Sequence, residues 1–398
     1  MIAAWILLSS AFALDLKEAR EIAVRRSLQV ERAEAQAQAA QADHRALLSG
    51  NLPSVVGFAY VQTGAGLTPF GFERPVQGLT GFGFDASWRL VSPSGWTATA
   101  AARRTAQGQQ ATAQWAMVLA RQAATNAYAL ALAAKEEADA WDRATADAQA
   151  AADAAESLVE AGLRPPADAA RARADAEATR ATALEARGRA QARCAELQGL
   201  LRSEVTGRCD LSPVRWDTPR DNPQEHPALT AAQEAARAQV LQAASTKLGL
   251  APDLLATSRV AEYNAGEGFG LGWQAELRAE MPLTTSGAQL QAIRAAEARA
   301  ETAAADLETQ RLDLSIARVS AEAQYDAARA GVDARIASLD AAQAAYTLID
   351  ERYRAGLSGA TEWLDARRVR DTAAAALAQS RAQLGVALAS VEAARGVF

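Results

Sequence analysis

Histidine and cysteine are almost missing from this 398-residue chain, which holds only His44, His226, Cys194 and Cys209. Four such residues at these separations make no zinc site of familiar spacing and no disulfide framework. One histidine per half also leaves no nucleophile–base pair to nominate, so neither a catalytic constellation nor a bound metal or cofactor is expected. Proline (12), glycine (25) and aromatics (6%) are scarce. No stretch is apolar for the roughly 20 residues that a membrane helix needs, so entry into a membrane would have to be by strands. A basic excess is missing too. Forty-one Lys and Arg against 47 Asp and Glu give a net charge of −6, which argues against a nucleic-acid partner.

What is abundant is alanine. Half the residues are hydrophobic, yet the excess is the best helix former and a poor filler of cores. Long helices packed closely through small side chains are expected. Thr97 to Val159 and Ser286 to Ala355 contain no proline, and at 1.5 Å per residue each would be a rod of about 90–105 Å. With so little bulky apolar surface, several such helices must share a seam.

The chain opens with a short apolar run, Ile2 to Leu8, followed by Ala11-Phe12-Ala13. That is the hydrophobic region and cleavage pattern of an export signal over residues 1–13, incomplete because no basic residues precede it. No cysteine follows to carry a lipid anchor.

Beyond it, the sequence is written twice. Residues 27–53 overlay 226–252 without a gap, matching Gly50 with Gly249 and Pro53 with Pro252. Further on, Glu160-Ala-Gly-Leu163 matches Arg354-Ala-Gly-Leu357, and Asp168 matches Glu362. The first repeat runs over 14–221: helix, strand pair 53–92, long helix 97–159, turn 160–168 and a helix to about 203. The second runs over 222–398: helix, strand pair 253–283, long helix 286–355, turn 354–362 and a helix to 396. The polar, proline-containing stretch Asn222 to Pro227 joins them. Alanine-rich low complexity can imitate a helical match, but not matched glycines and prolines.

Between the helices the pattern switches to period two. Val56, Phe58 and Tyr60 alternate with Gly57, Ala59 and Val61. After a Gly/Pro-rich loop (Gly64 to Thr80), Phe82, Phe84, Ala86, Trp88 and Leu90 alternate with smaller or polar residues. In the second repeat Trp273, Ala275, Leu277, Ala279 and Met281 alternate with Gln274, Glu276, Arg278 and Glu280. Their partner strand is expected at Leu254 to Tyr263, with Asn264 to Gly272 as the turn. Such alternation over about ten residues is the signature of a membrane strand, although a half-buried soluble hairpin shares it. Phe58, Tyr60, Phe82, Phe84, Trp88, Trp273 and Leu277 are the expected lipid-facing residues. Gly81-Phe-Gly-Phe-Asp-Ala86 imitates a phosphate loop but lacks a strand–turn–helix setting. Four strands cannot close a barrel, and open edges are not tolerated in lipid. A membrane-spanning form must therefore oligomerise.

On these residues the chain resembles the TolC family of outer-membrane efflux proteins, from about Leu14 to Val397. The likeness lies in the duplicated plan, the opening Leu14-Asp-Leu-Lys-Glu-Ala19, and the turns Val159-Glu-Ala-Gly-Leu-Arg-Pro-Pro-Ala-Asp168 and Tyr353-Arg-Ala-Gly-Leu-Ser-Gly-Ala-Thr-Glu-Trp-Leu-Asp365. The resemblance implies a mainly α protein with a β-barrel segment. Four strands per chain would close by homotrimerisation into a membrane barrel, continued by a long α-helical barrel. It implies the outer membrane of a Gram-negative bacterium, with extension into the periplasm. The function implied is a passive exit duct of a tripartite efflux or type I secretion system, with outer-membrane lipid around it. The loops Gly64–Thr80 and Asn264–Gly272 would face outside the cell. Gly162, Leu163, Gly356 and Leu357 would meet a periplasmic adaptor and, through it, an inner-membrane pump.

By the same resemblance the periplasmic end is gated by Asp168 and Tyr353. The family's gate arginine is replaced by Ser358, so Arg354 or Arg164 would supply the cation, while Arg354 could equally serve as a helix-end cation. Pro165-Pro166 and an end at Phe398 directly after the last helix are further departures. A disulfide between Cys194 and Cys209 and two free thiols are equally compatible with the sequence. Two rivals remain. A periplasmic coiled-coil adaptor or spacer would explain the helices but not the strand pairs. A periplasmic hydrolase would need more than Asp139, Asp142, Asp147 and Asp153, which read as a solvated helix face.

Overall fold

A computed structural model of the chain describes residues 13–397, apart from 63–65, 68–72, 75–78, 205, 217, 222–224, 265–268 and 283–286. The expected export signal, save Ala13, lies outside the described residues, as do 222–224 of the junction and much of the loop 64–80. The elements in order are α1 (Leu16–Arg26), α2 (Leu28–Ser49), β1 (Ser54–Gln62), β2 (Gly66–Leu67), β3 (Glu73–Arg74), β4 (Leu79–Val91), α3 (Pro93–Glu160), α4 (Pro166–Leu200), α5 (Pro227–Leu248), β5 (Asp253–Asn264), β6 (Phe269–Glu280), α6 (Ala288–Arg354) and α7 (Ala360–Ala394). The duplicated plan is therefore real: α4 and α7 both have 35 residues, and the rods α3 and α6 have 68 and 67.

Three expectations are corrected in detail. The first helix of repeat one is broken at Ser27, whose extended backbone ends α1 and whose hydroxyl accepts the Val30 amide to start α2; a side-chain oxygen at that place satisfies an orphan donor of the new helix. The loop 64–80 contains a two-residue strand pair, β2 with β3. The hairpin turn expected over Asn264 to Gly272 is shorter, because Phe269 to Gly272 already pair in β6. Among the described residues, no helix is long and apolar enough to cross a membrane.

The chain divides into two compact units, one of Met1–Arg32, Gln114–His226 and Leu312–Phe398, the other of Ala33–Ala113 and Pro227–Arg311. Each draws on both repeats, so compactness does not follow the duplication. The second unit carries an antiparallel sheet in the order β1-β4-β5-β6. Beside it, Ser92 caps α3 through the Gly95 amide, with Pro93 at the first helical position, a favoured start for a helix. Glu234 on α5 binds Arg104 of α3 at 3.1 Å, and Ser245 donates to the Ser94 carbonyl at 2.8 Å.

In the first unit, alanines at 148, 151, 152, 155, 172 and 176 form a close-packed seam closed by Tyr353, Trp363 and Leu364. A second cluster joins Ala19, Ala124, Tyr128, Leu197 and Leu211. The buried Tyr128 hydroxyl sits between the carbonyls of Leu14 (2.7 Å) and Ser212 (2.8 Å), and burial first, then Asp15, pushes its pKa up to about 12. The rods differ in how much they bury. Twenty-two of the 68 residues of α3 are buried, but only five of the 67 of α6.

Candidate functional site

The two rods end in the same way. Gly162 and Gly356 adopt left-handed backbone at φ 71° and 78°, which glycine enters without a Cβ penalty. Around them the amides of Gly162 and Leu163 return to the carbonyls of Val159 and Leu158, and those of Gly356 and Leu357 to Tyr353 and Arg352. This doubly bonded glycine turn satisfies the last carbonyls of a helix. Its usual apolar partner is not covered here: Leu163 and Leu357 both point into solvent.

The turns differ two residues after the glycine, where repeat one has Arg164 and repeat two has Ser358. Arg164 donates from Nη2 to the carbonyl of Tyr353 and, at 3.1 Å, to that of Ser358. Its guanidinium lies over the Tyr353 ring at 4.4 Å, and the far face of Tyr353 stacks on Trp363 at 4.3 Å and 6°. Trp363 is held in turn by an Nε1 hydrogen bond to Asp350 Oδ1 at 2.9 Å. Tyr353 is 2% exposed and its hydroxyl has no partner among the described residues. Burial first, then the negative charge of Asp168, raises its pKa, while Arg164 opposes the shift. Asp168 itself is buried at the start of α4. Arg354 is 75% exposed and pairs with Asp350 on its own helix at 2.9 Å. The structure thus brings Arg164, Tyr353 and Asp168 together, leaves Arg354 at a helix end, and places Ser358 as the donor to Glu362 Oε2 at 2.6 Å.

Behind this stack lies a charged layer that sequence reasoning missed. Arg367 on α7, 1% exposed, binds Asp175 of α4. Arg370 binds Asp371 and reaches Asp147 of α3 at 2.9 Å, with its guanidinium 4.4 Å from the Tyr346 ring of α6. Burial lowers the pKa of Arg367 and raises that of Asp371, the latter against the hydrogen bond from Arg370. All four helices are tied here. Asp142 likewise pairs with Arg187 at 2.9 Å. Asp142 and Asp147 therefore do more than solvate a face: each makes an ion pair between helices. A signal existed. Aligning the repeats sets Val159 against Tyr353 and Ala169 against Trp363, and bulky exceptions in otherwise matched small positions mark where repeat two was specialised.

On the sheet, directly paired residues share a face. Phe82 pairs with Ala59 and Glu262, Phe84 with Gly57 and Val260, Trp88 with Ala256, Val260 with Trp273, and Ala256 with Leu277. Phe82, Phe84, Trp88, Trp273 and Leu277 therefore form one apolar face, and Trp273 is 76% exposed. Phe58 pairs with Gly83, and Tyr60 with Gly81, so these two lie on the opposite face and cannot share a lipid boundary with the other five. That face is polar. Asp85 and Arg259 form a two-pronged ion pair at 2.6 and 2.9 Å, with Arg259 5.4 Å from the Phe58 ring; Gln274, Glu276 and Arg278 continue it. A Cβ on Gly81 would stand 2.7 Å from the Tyr60 hydroxyl, and one on Gly83 2.8 Å from Ala261 Cα. Gly81 leaves room for the Tyr60 ring, and Gly83 for the close approach of β5.

Cys194 and Cys209 are joined as a disulfide, with Cα atoms 5.8 Å apart. Gln198 shapes the return, accepting from the amides of Thr206 and Gly207 and donating to the Arg208 carbonyl. Among the described residues no cluster of three His, Cys, Asp or Glu is placed to hold a metal ion.

The model of the family described as outer membrane efflux protein matches twice, over residues 19–201 and 221–397. No match was found among curated proteins by sequence. Among solved structures the chain is similar to the CmeC outer membrane channel of Campylobacter jejuni (17% identity, TM-score 0.81, covering 96% of this chain and 85% of that one). It is similar to VceC of Vibrio cholerae (16%, 0.80, 96% and 96%) and to the open state of the MtrE outer membrane channel of Neisseria gonorrhoeae (18%, 0.81, 96% and 88%). A family match to both halves of a chain that carries rods, paired glycine turns and a two-faced sheet places this protein in the outer membrane efflux protein family, as an outer-membrane exit duct for efflux.

Proposed function

We propose that three copies of this chain assemble into a passive conduit, with twelve strands closing a membrane barrel and the long helices forming a tunnel in the periplasm. The observation that carries this reading is the open sheet. Its outer strands β1 and β6 have unpaired edges, and its apolar face is exposed, whereas lipid accepts neither an open edge nor a polar face. Closure with further copies pairs every edge and turns the Asp85–Arg259 face toward water. The barely buried α6 supports the same assembly, since Leu312, Ile316 and Val319 stand exposed at helical spacing on one stripe, which fits a neighbouring copy.

The turns at Gly162 and Gly356, with Leu163 and Leu357 exposed, form the surface for a periplasmic adaptor and through it an inner-membrane pump. The stack of Arg164, Tyr353 and Trp363 beside Asp168 holds that end closed at rest. Transport needs no chemistry of the duct itself; a tripartite efflux pump or a type I secretion system supplies the energy. Native mass spectrometry in detergent, followed by planar-bilayer recording, tests the proposal. A trimer that conducts is expected. A stable, water-soluble monomer that washes off membranes in carbonate would instead make the chain a periplasmic spacer.

A further inference from the structure

A cavity of about 660 Å³ lies within the first unit, bounded by the start of α1, the middle of α3, the end of α7 and the connector between the repeats. Its lining carries an excess of positive charge. Five cationic side chains face three carboxylates. One pair is internally satisfied: Arg20 binds Glu392 at 2.8 Å and donates to Thr125 Oγ1 at 2.7 Å. Asp15 is engaged by the Leu16 amide as the cap of α1. The side chains of Arg121, Arg215, Arg220 and Lys17 make no hydrogen bond or ion pair with any described residue; Arg121 is partly buried and the other three are exposed at the cavity's rim, and Glu21 is the one lining carboxylate without a partner among the described residues. Elsewhere in the unit, arginines at 187, 189, 367, 370 and 395 each hold a carboxylate.

Three guanidinium forks left unpaired around a concave site are matched to acceptors that are planar or tetrahedral oxyanions, and the volume is that of a small-molecule site. Arg121 lies one turn before Thr125 on α3, and its carbonyl accepts the Thr125 hydroxyl at 2.8 Å. The same hydroxyl accepts from Arg20 Nε, so Arg121 lies one turn from the paired Arg20–Glu392 side of the cavity. We propose that this cavity binds a small polyvalent oxyanion, a di- or tricarboxylate or a phosphate ester, between Arg121 and the connector arginines Arg215 and Arg220. None of these residues belongs to the Arg164–Tyr353–Trp363 stack.

The test uses the full chain in detergent, titrated calorimetrically with pyrophosphate and with citrate at constant ionic strength, with acetate as the monovalent control. Saturable binding at one site per chain is expected, and whichever probe binds more tightly assigns the site to phosphate or carboxylate. Arg121→Gln should weaken it about tenfold or more, as loss of a charge-assisted contact implies. Arg103→Gln, on an exposed position of α3 outside the cavity, should not. Equal response to acetate, no saturation by about 10 mM, or unaltered binding in Arg121→Gln would overturn the proposal. Should that variant fail to assemble, phenylglyoxal modification of the unaltered protein decides. Pyrophosphate or citrate must protect Arg121, Arg215 and Arg220 as mapped by mass spectrometry. Absence of protection, or arginines already inaccessible because a neighbouring copy fills the cavity, overturns it too.

Discussion

Replacing Arg164 by glutamine is the sharpest test of the proposed closure. The guanidinium makes one cation–π contact with Tyr353 and two hydrogen bonds to carbonyls of the second repeat's turn. A cation–π contact is worth about 0.5–2 kcal/mol. Hydrogen bonds from a charged donor contribute about 1.5–3 kcal/mol when buried, and less than that here, because Arg164 is only partly buried and water can replace it at the freed carbonyls. A loss of about 2 kcal/mol per chain is a reasonable sum, which shifts a two-state equilibrium roughly 30-fold. Three copies losing the contact together would shift it by about 10⁴. Arg354 offers a matched control. It is the neighbour of Tyr353 in sequence, yet among the described residues it pairs only within α6, and an exposed pair of this kind is worth about 0–1 kcal/mol.

Single-channel recording of the reconstituted protein therefore should show Arg164→Gln opening to higher conductance, with Arg354→Ala indistinguishable from the unaltered protein. Asp168→Ala should raise conductance as well, and native mass spectrometry should find assembly intact in all three. The opposite ordering, conductance raised by Arg354→Ala and unmoved by Arg164→Gln, would refute the assignment of the clamp to the first repeat's turn.

Other expectations concern separate parts of the molecule. Removal of the Cys194–Cys209 crosslink, by reductant or by Cys→Ser at both positions, should lower the melting temperature by an amount matching about 3 kcal/mol, the entropic worth of a loop this short; an unchanged melt would show the connector held by Gln198 alone. Trp273→Lys, on the apolar face, should block membrane insertion, since a lysine at mid-membrane costs about 2–4 kcal/mol, while Tyr60→Lys on the polar face should be inserted normally. Tyr128 ties the chain start to the connector only while protonated. Its pKa is raised in the fold, so its contribution is present below pH 10 and is lost as the pH climbs toward about 12. A pH titration of thermal stability should show a decline there that Tyr128→Phe lacks.

The repeats, the rods and their turns were legible because glycine and proline act locally: Gly162 and Gly356 end helices by backbone geometry that any reader of the sequence can infer. The strand faces were legible in β4 and β6, where apolar and polar residues alternate cleanly. They were not in β1. Val56, Phe58 and Tyr60 interleave with Val55, Ala59 and Val61, so both sides are apolar and no parity can be read. Only the register against Gly81 and Gly83 settles which side faces which, and register is a property of two strands. The same limit applies to Arg164. A single sequence shows that Ser358 lacks a cation, but not that the turn of the other repeat stands close enough to provide one.

That exchange between repeats has a physical logic. In a duplicated chain each turn starts with the same residues, and identical turns would present two like cations to each other and no aromatic face to either. Here repeat one keeps Arg164 and small residues at Val159 and Ala169, while repeat two gives up the cation and places Tyr353 and Trp363 at the equivalent positions. One half supplies the donor, and the other the aromatic face and the carbonyls. The contact can form only between unlike repeats, which fixes their pairing at this end. The rods diverge in the same sense. α3 is buried along its length by its own chain, and α6 is left largely bare. A chain of two like halves could find its partner surface in itself; this one has made the halves unlike, and among the described residues the second rod is left bare and the outer sheet edges unpaired, which is what the proposed assembly would cover.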